Sequence, residues 1–156
     1  MGTLIDWHFT INCQCTKKAN ENQEVTVKHN KMKNKIIILI VEDDENNYLY
    51  IYTLLEDFEL NLKTLHAKNG NEAVEICKNN NQIDLILMDL KLPDMDGLEA
   101  TKQIRKFRPN LPIIAQTSYL SADYKEKAIS TGCNDFILKP FSDEILYQII
   151  TKHIDI

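Results

Sequence analysis

The six residues Ile36–Val41, Ile-Ile-Ile-Leu-Ile-Val, contain no polar side chain. A mostly β-branched run of that length predicts a strand covered on both faces. Beyond it, strand and helix signals alternate. Tyr48, Ile51, Tyr52, Leu55 and Phe58 recur at helical spacing. Leu62–Ala67 predicts a weaker strand. Asn69 and Glu72 then form a capping box for a helix with Ala73, Val74, Ile76 and Cys77 as its apolar stripe, stopped by Asn79-Asn80-Asn81. Residues 83–88 predict a strand, and Leu98, Thr101 and Ile104 mark a helix that ends before Pro109. Residues 112–116 predict a further strand. Ser121 can cap a helix through Thr131, with Gly132 as its stop. Asp135–Leu138 predicts the last strand, and Ser142 opens a final helix with Ile145, Leu146, Ile149 and Ile150 inward.

Five strands alternating with five helices predict an α/β fold, a doubly wound parallel sheet with helices on both faces. Right-handed crossovers put the functional loops at the strand C-termini. The acidic run Glu42-Asp43-Asp44-Glu45, Asp89, Thr117 and Lys139 all fall on that edge.

The start of the chain reads differently. Residues 4–12 alternate Ile5, Trp7, Phe9 and Ile11 with polar positions, a strand-like segment that cannot be stable alone. Residues 13–35 are polar and read as a linker. The expected division is therefore 1–35 as segment and linker, and 36–156 as the domain. Of the net charge of −5, residues 1–35 contribute +3 and the remainder −8. The acidic body argues against a nucleic-acid surface. No apolar run is long enough to span a bilayer and Asp6 interrupts any leader-like stretch, so no membrane role is expected and the cytoplasm is the default compartment. Cysteines at 13, 15, 77 and 133 have neither disulfide-framework nor zinc spacing.

Carboxylates gathered at one sheet edge repel, by about 3 kcal/mol per unit-charge pair at about 5 Å and an effective dielectric near 20. A divalent cation resolves that conflict, and hard oxygen ligands that leave room for waters and phosphate suit Mg²⁺. Lys139 adds a positive charge and Thr117 a hydroxyl donor, both suited to phosphoryl oxygens. Asp94 and Asp96 read as turn residues, because Pro93 and Gly97 already explain the bend. The four histidines form no cluster in the sequence and receive no role.

Ile-Leu-Ile-Val-Glu-Asp-Asp (38–44), Leu-Met-Asp-Leu-Lys-Leu-Pro-Asp-Met-Asp-Gly (87–97), Pro-Ile-Ile-Ala-Gln-Thr-Ser (112–118) and Phe-Ile-Leu-Lys-Pro (136–140) stand in order, each at a strand end. In these pieces the chain resembles the receiver domains of two-component response regulators. The resemblance implies a flavodoxin-like (βα)5 fold of strand order 2-1-3-4-5. It implies Asp89 as the phosphoacceptor, taking a phosphoryl group from a phosphohistidine on a histidine kinase or phosphotransfer domain. Mg²⁺ would be held by Asp43 directly, Glu42 through water, Asp89 and the backbone carbonyl of Lys91, with a role for Asp44 left open. Thr117 and Lys139 would bind the phosphoryl group, Phe136 would switch by packing as the threonine moves, and Lys139-Pro140 would match the family's cis peptide.

Two positions that tune aspartyl-phosphate lifetime in the family are here Lys91 and Tyr119, neither suited to orient water, so slow self-dephosphorylation is expected. A dehalogenase-type phosphatase fits less well, because Lys91 stands where Asp-x-Asp needs its second aspartate. No Gly-x-x-x-x-Gly-Lys stretch is present for a nucleotide. Two alternatives stay open: a docking module that is never phosphorylated, and the detached C-terminal receiver of a hybrid histidine kinase, since residues 4–12 resemble the closing strand of a kinase's ATP-binding domain. With no output domain in the chain, a downstream protein is expected on the face of the fourth helix, fifth strand and fifth helix.

Overall fold

The computed structural model describes residues 35–118 and 122–154. The expectations for residues 1–34, for Tyr119 and for the Ser121 cap lie outside the described residues. Strands and helices alternate throughout: β1 (Ile36–Val41), α1 (Glu45–Glu56), β2 (Leu62–Ala67), α2 (Gly70–Asn79), β3 (Leu85–Asp89), α3 (Gly97–Arg105), β4 (Ile113–Thr117), α4 (Ala122–Thr131), β5 (Asp135–Leu138) and α5 (Asp143–His153). The five strands form one parallel sheet ordered β2-β1-β3-β4-β5, the doubly wound α/β arrangement expected.

Each strand's alternate residues feed two cores. Leu39, Val41, Ile86, Met88, Ile113 and Ala115 pack with α2, α3 and α4 residues such as Val74, Ala100, Ile104 and Ala128. Ile38, Ile40, Leu85, Leu87, Ile114 and Ile137 pack with Ile51 and Leu55 of α1 and Leu146 and Ile150 of α5. Two covered faces account for the unbroken apolar run of β1, which is buried along its whole length. β2 is an edge strand and for that reason accommodates Lys63, Thr64 and His66, none of them fully buried.

The helix caps follow the sequence closely. Asn69 Oδ1 accepts from the Glu72 amide at 2.9 Å, while Glu72 reaches back to the Lys68 amide at 2.8 Å. Ser142 caps α5 through the Ile145 amide. Several details differ from expectation, and β4 itself runs one residue later at both ends than the strand expected at 112–116. Ile145 is 51% exposed instead of inward, because Leu146 and Ile150 define the sheet-facing stripe of α5 and Ile145 lies about 100° round the helix from Leu146. The strand expected at 83–88 begins at Leu85, since the Asp84 carboxylate accepts from the Ile37 amide at 2.9 Å. It also runs one residue further, because Asp89 still pairs with Gln116 in the ladder.

Candidate functional site

The C-terminal ends of β1, β3 and β5 carry Glu42, Asp89 and Lys139 to one place. Ile40, Leu87 and Ile137 face the α1/α5 core, and with a period of two the residues two positions on point the same way. The Lys139 ammonium donates to Asp89 Oδ2 at 2.5 Å and also to Glu42 Oε2. Asp89 Oδ1 accepts from the Lys91 amide at 2.8 Å, so the turn after β3 fixes the carboxylate's second oxygen. Glu42 Oε1 accepts from Asn47 Nδ2 at 3.1 Å. Burial pushes the Glu42 carboxyl up from its ordinary range, against the pull of Lys139. Burial also opposes the charge on Lys139, but hydrogen bonds and attraction from Asp89 and Glu42 outweigh it and hold the ammonium above an ordinary lysine.

Glu42, Asp43 and Asp89 each offer a ligand oxygen within 4.8 Å of the others. Asp43 is the exposed member, open on the solvent side, while Glu42 is buried and Asp89 nearly so. All-oxygen donors with one open flank fit Mg²⁺, which retains waters and shares its shell with phosphate. Asp44 and Glu45 do not join this group. Asp44 Oδ1 caps α1, accepting from the Asn46 and Asn47 amides at 2.9 Å, and Glu45 pairs with Lys68 at 2.5 Å. Asp96 similarly caps α3 through the Glu99 amide at 2.8 Å, and Asp94 adopts φ 65° in the turn.

Thr117 is buried at the end of β4, and its carbonyl accepts from the Lys139 amide at 2.8 Å, joining the two strand ends. The Lys139-Pro140 bond is cis. Phe136 is half-buried with the Lys125 ammonium 4.4 Å above its ring centroid. Lys91 is exposed. Gly97 is required where it stands: a Cβ would lie 2.0 Å from the Asp89 carbonyl oxygen. Beside the site, Asn47, Tyr50, Ile51, Ser118, Lys139, Pro140 and Phe141 line a cavity of about 330 Å³, and Tyr50 Oη donates to the Phe141 carbonyl at 2.6 Å.

Two further residues at the site stand outside the sequence motifs: Asn47, which orients Glu42, and His66, whose Nε2 lies 2.8 Å from the Glu42 carbonyl oxygen. Asn47 follows Glu42 by five residues on the first turn of α1, a proximity that could have flagged it. His66 belongs to another strand and leaves no local signal.

The family model of the response regulator receiver domain matches residues 38–151. The sensor histidine kinase CheAY of Helicobacter pylori is 30% identical over 99% of this chain, and the histidine kinase BarA of Escherichia coli is 33% identical over 89% of it. The chain spans about a fifth or less of those kinases, 19% and 15% of their lengths. The receiver domain of the sensor kinase PA1611 of Pseudomonas aeruginosa, solved with magnesium coordinated in its active-site cleft, superposes with a TM-score of 0.69 at 33% identity, covering 76% of this chain and 97% of that one. The receiver domain of Ssk1 of Saccharomyces cerevisiae, solved with the histidine phosphotransfer protein Ypd1, gives 0.68 at 38% identity over 77% of this chain and 89% of that one. With the sheet order, the acidic cleft and the family match in agreement, the chain belongs to the receiver domains of two-component response regulators.

Proposed function

We propose that Asp89 is the phosphoacceptor and that Glu42, Asp43, Asp89 and the Lys91 carbonyl hold Mg²⁺. The observation that carries this reading is the Lys139 ammonium bridging Asp89 and Glu42, with Asp43 alongside. An Asp89 carboxylate oxygen attacks the phosphorus of a phosphohistidine, the P–N bond breaks as the P–O bond forms, and the imidazole leaves. Mg²⁺ supplies neutralisation of the charge gathering on the phosphoryl oxygens. Lys139 and Thr117 bind those oxygens, and Phe136 repacks as Thr117 moves. The donor is a histidine kinase or phosphotransfer domain; Leu49 and Tyr50, exposed on α1 near the cleft, offer it an apolar contact. A downstream protein reads the α4-β5-α5 face, where Ile145 and Phe136 are accessible. The functional unit is residues 36–156, preceded by the strand-like segment and linker. Among the described residues no helix is long and apolar enough to cross a membrane, in keeping with a domain working in the cytoplasm.

Incubation with a small-molecule phosphodonor tests the site. Wild type is expected to gain one acid-stable, hydroxylamine-labile phosphoryl group only with Mg²⁺, and Asp89→Ala none. Labelling of Asp89→Ala at the wild-type level overturns the assignment, and an unlabelled wild type favours the docking module. Lys91 and Tyr119 set a slow decay. Lys91→Asn with Tyr119→Glu is expected to shorten the acyl-phosphate half-life by about tenfold, and unchanged decay refutes that role.

One observation favours a second reading, the receiver end of a hybrid kinase: the similarity to the Helicobacter kinase runs over 99% of the chain, beyond the receiver match at 38–151. A kinase reading frame continuous with this one in the genome supports it, and an independent promoter before Met1 counts against it.

A further inference from the structure

His66 lies outside the residues proposed to bind metal or phosphoryl group, yet its ring meets the loop that carries them. Its pairing with Ile40 puts the side chain on the α1 face of the sheet. There the imidazole lies flat on Tyr48, with centroids 3.7 Å apart and planes inclined by 6°. Nε2 stands 2.8 Å from the Glu42 carbonyl oxygen. A carbonyl only accepts, so Nε2 bears the proton and donates. The Glu42 amide in turn donates to the Ala67 carbonyl at 3.0 Å. β2 ends at Ala67, and Lys68 already donates its amide to the Glu72 side chain. The imidazole thus extends the ladder by one bond after the strand has ended.

We propose that His66, clamped by Tyr48, is a positioning residue for the Glu42–Asp43 metal ligands. The Glu42 amide and carbonyl are thus both tied, which sets the torsion between them and the direction of the Glu42 side chain, and the planar peptide to Asp43 then places the Cα from which the Asp43 carboxylate leaves. The carboxylates of Glu42, Asp43 and Asp89, with ligand atoms within 4.8 Å of one another, repel. A loop free to relax would spread them, whereas one tied at both backbone groups of Glu42 keeps them converged and spares the cation the cost of ordering them. This inference rests on the reading of Glu42, Asp43 and Asp89 as a Mg²⁺ site.

Calorimetric titration of the full chain with MgCl₂ alone tests it, with thermal unfolding of each protein recorded without metal. His66→Phe keeps a ring against Tyr48 and removes the donor; His66→Gln restores a donor and loses the ring. The expected result is Mg²⁺ affinity about fivefold weaker in His66→Phe, the ratio that one net hydrogen bond corresponds to, with most of the loss recovered in His66→Gln. A purely structural role would lower the melting temperature of His66→Phe and leave the affinity of the folded protein unchanged, and that result overturns the proposal. So does a His66→Gln variant no better than His66→Phe. No uptake of Mg²⁺ by the wild type overturns the metal site itself, and the positioning role with it.

Discussion

Asp135 illustrates how far a single carboxylate depends on partners distant in sequence. Burial pushes it up, but hydrogen bonds from Lys152, His153 and the Phe136 amide outweigh burial and hold it below the usual aspartate range. Because the folded value is the lower one, the stabilisation is present above the unfolded value and is lost as pH falls through the folded value. Asp135→Asn is therefore expected to be less stable than wild type at neutral pH, with the gap closing below about pH 4. Denaturant unfolding at pH 7 and pH 3 checks this, and a gap that does not narrow refutes it. Lys152 and His153 lie on α5, seventeen and eighteen residues away, and no pattern around Asp135 announces them. The buried thiols behave oppositely. Burial pushes the Cys77 thiol up to about 11 against the opposing pull of the Arg108 charge, so its lack of metal or disulfide spacing and its environment agree.

At the scale of elements, the helix N-termini were the most legible parts, because a cap is a local contract between a side chain and amides two or three residues on. Asn69 and Ser142 were readable for that reason. Asp44 and Asp96 were harder, since each stands in an acidic run whose other members do different work. The α3 N-terminus also limits what can follow β3. With 2.0 Å between a Cβ at position 97 and the Asp89 carbonyl oxygen, Gly97→Ala must displace either α3 or the end of β3. The expected cost is about 1–3 kcal/mol of stability and, on the proposed assignment of Asp89, slower labelling in the folded fraction. The denaturant midpoint and the labelling rate are the measurements; a midpoint and rate equal to wild type would show that the turn absorbs a methyl group without strain.

Across the molecule, opposite edges of the sheet are held in different ways. At the site edge, charged side chains converge and Lys139 bridges them. At the far edge, two arginines of the α3 region grip backbone carbonyls. Arg105 bonds the carbonyls of Gly132, Arg108 and Leu111 and the Asn134 side chain, and Arg108 bonds those of Asn80, Asn81 and Ile83. These bonds tie α3 to the loops entering β3, β4 and β5, which fixes the bases of the strands whose tips carry Asp89, Thr117 and Lys139.

The alternation of elements, the parallel sheet and the edge that gathers Glu42, Asp43, Asp89, Thr117 and Lys139 are legible from the residues alone, because hydrophobic period and β-α order are local and cumulative along the chain. The folded chain was needed to show which acids of the run 42–45 face the cleft, that Lys139 contacts both Glu42 and Asp89, and that His66 of the edge strand reaches the Glu42 carbonyl. Those contacts join strands separated by 24 to 97 residues. They follow from register and pairing between strands, which no local pattern of side chains encodes.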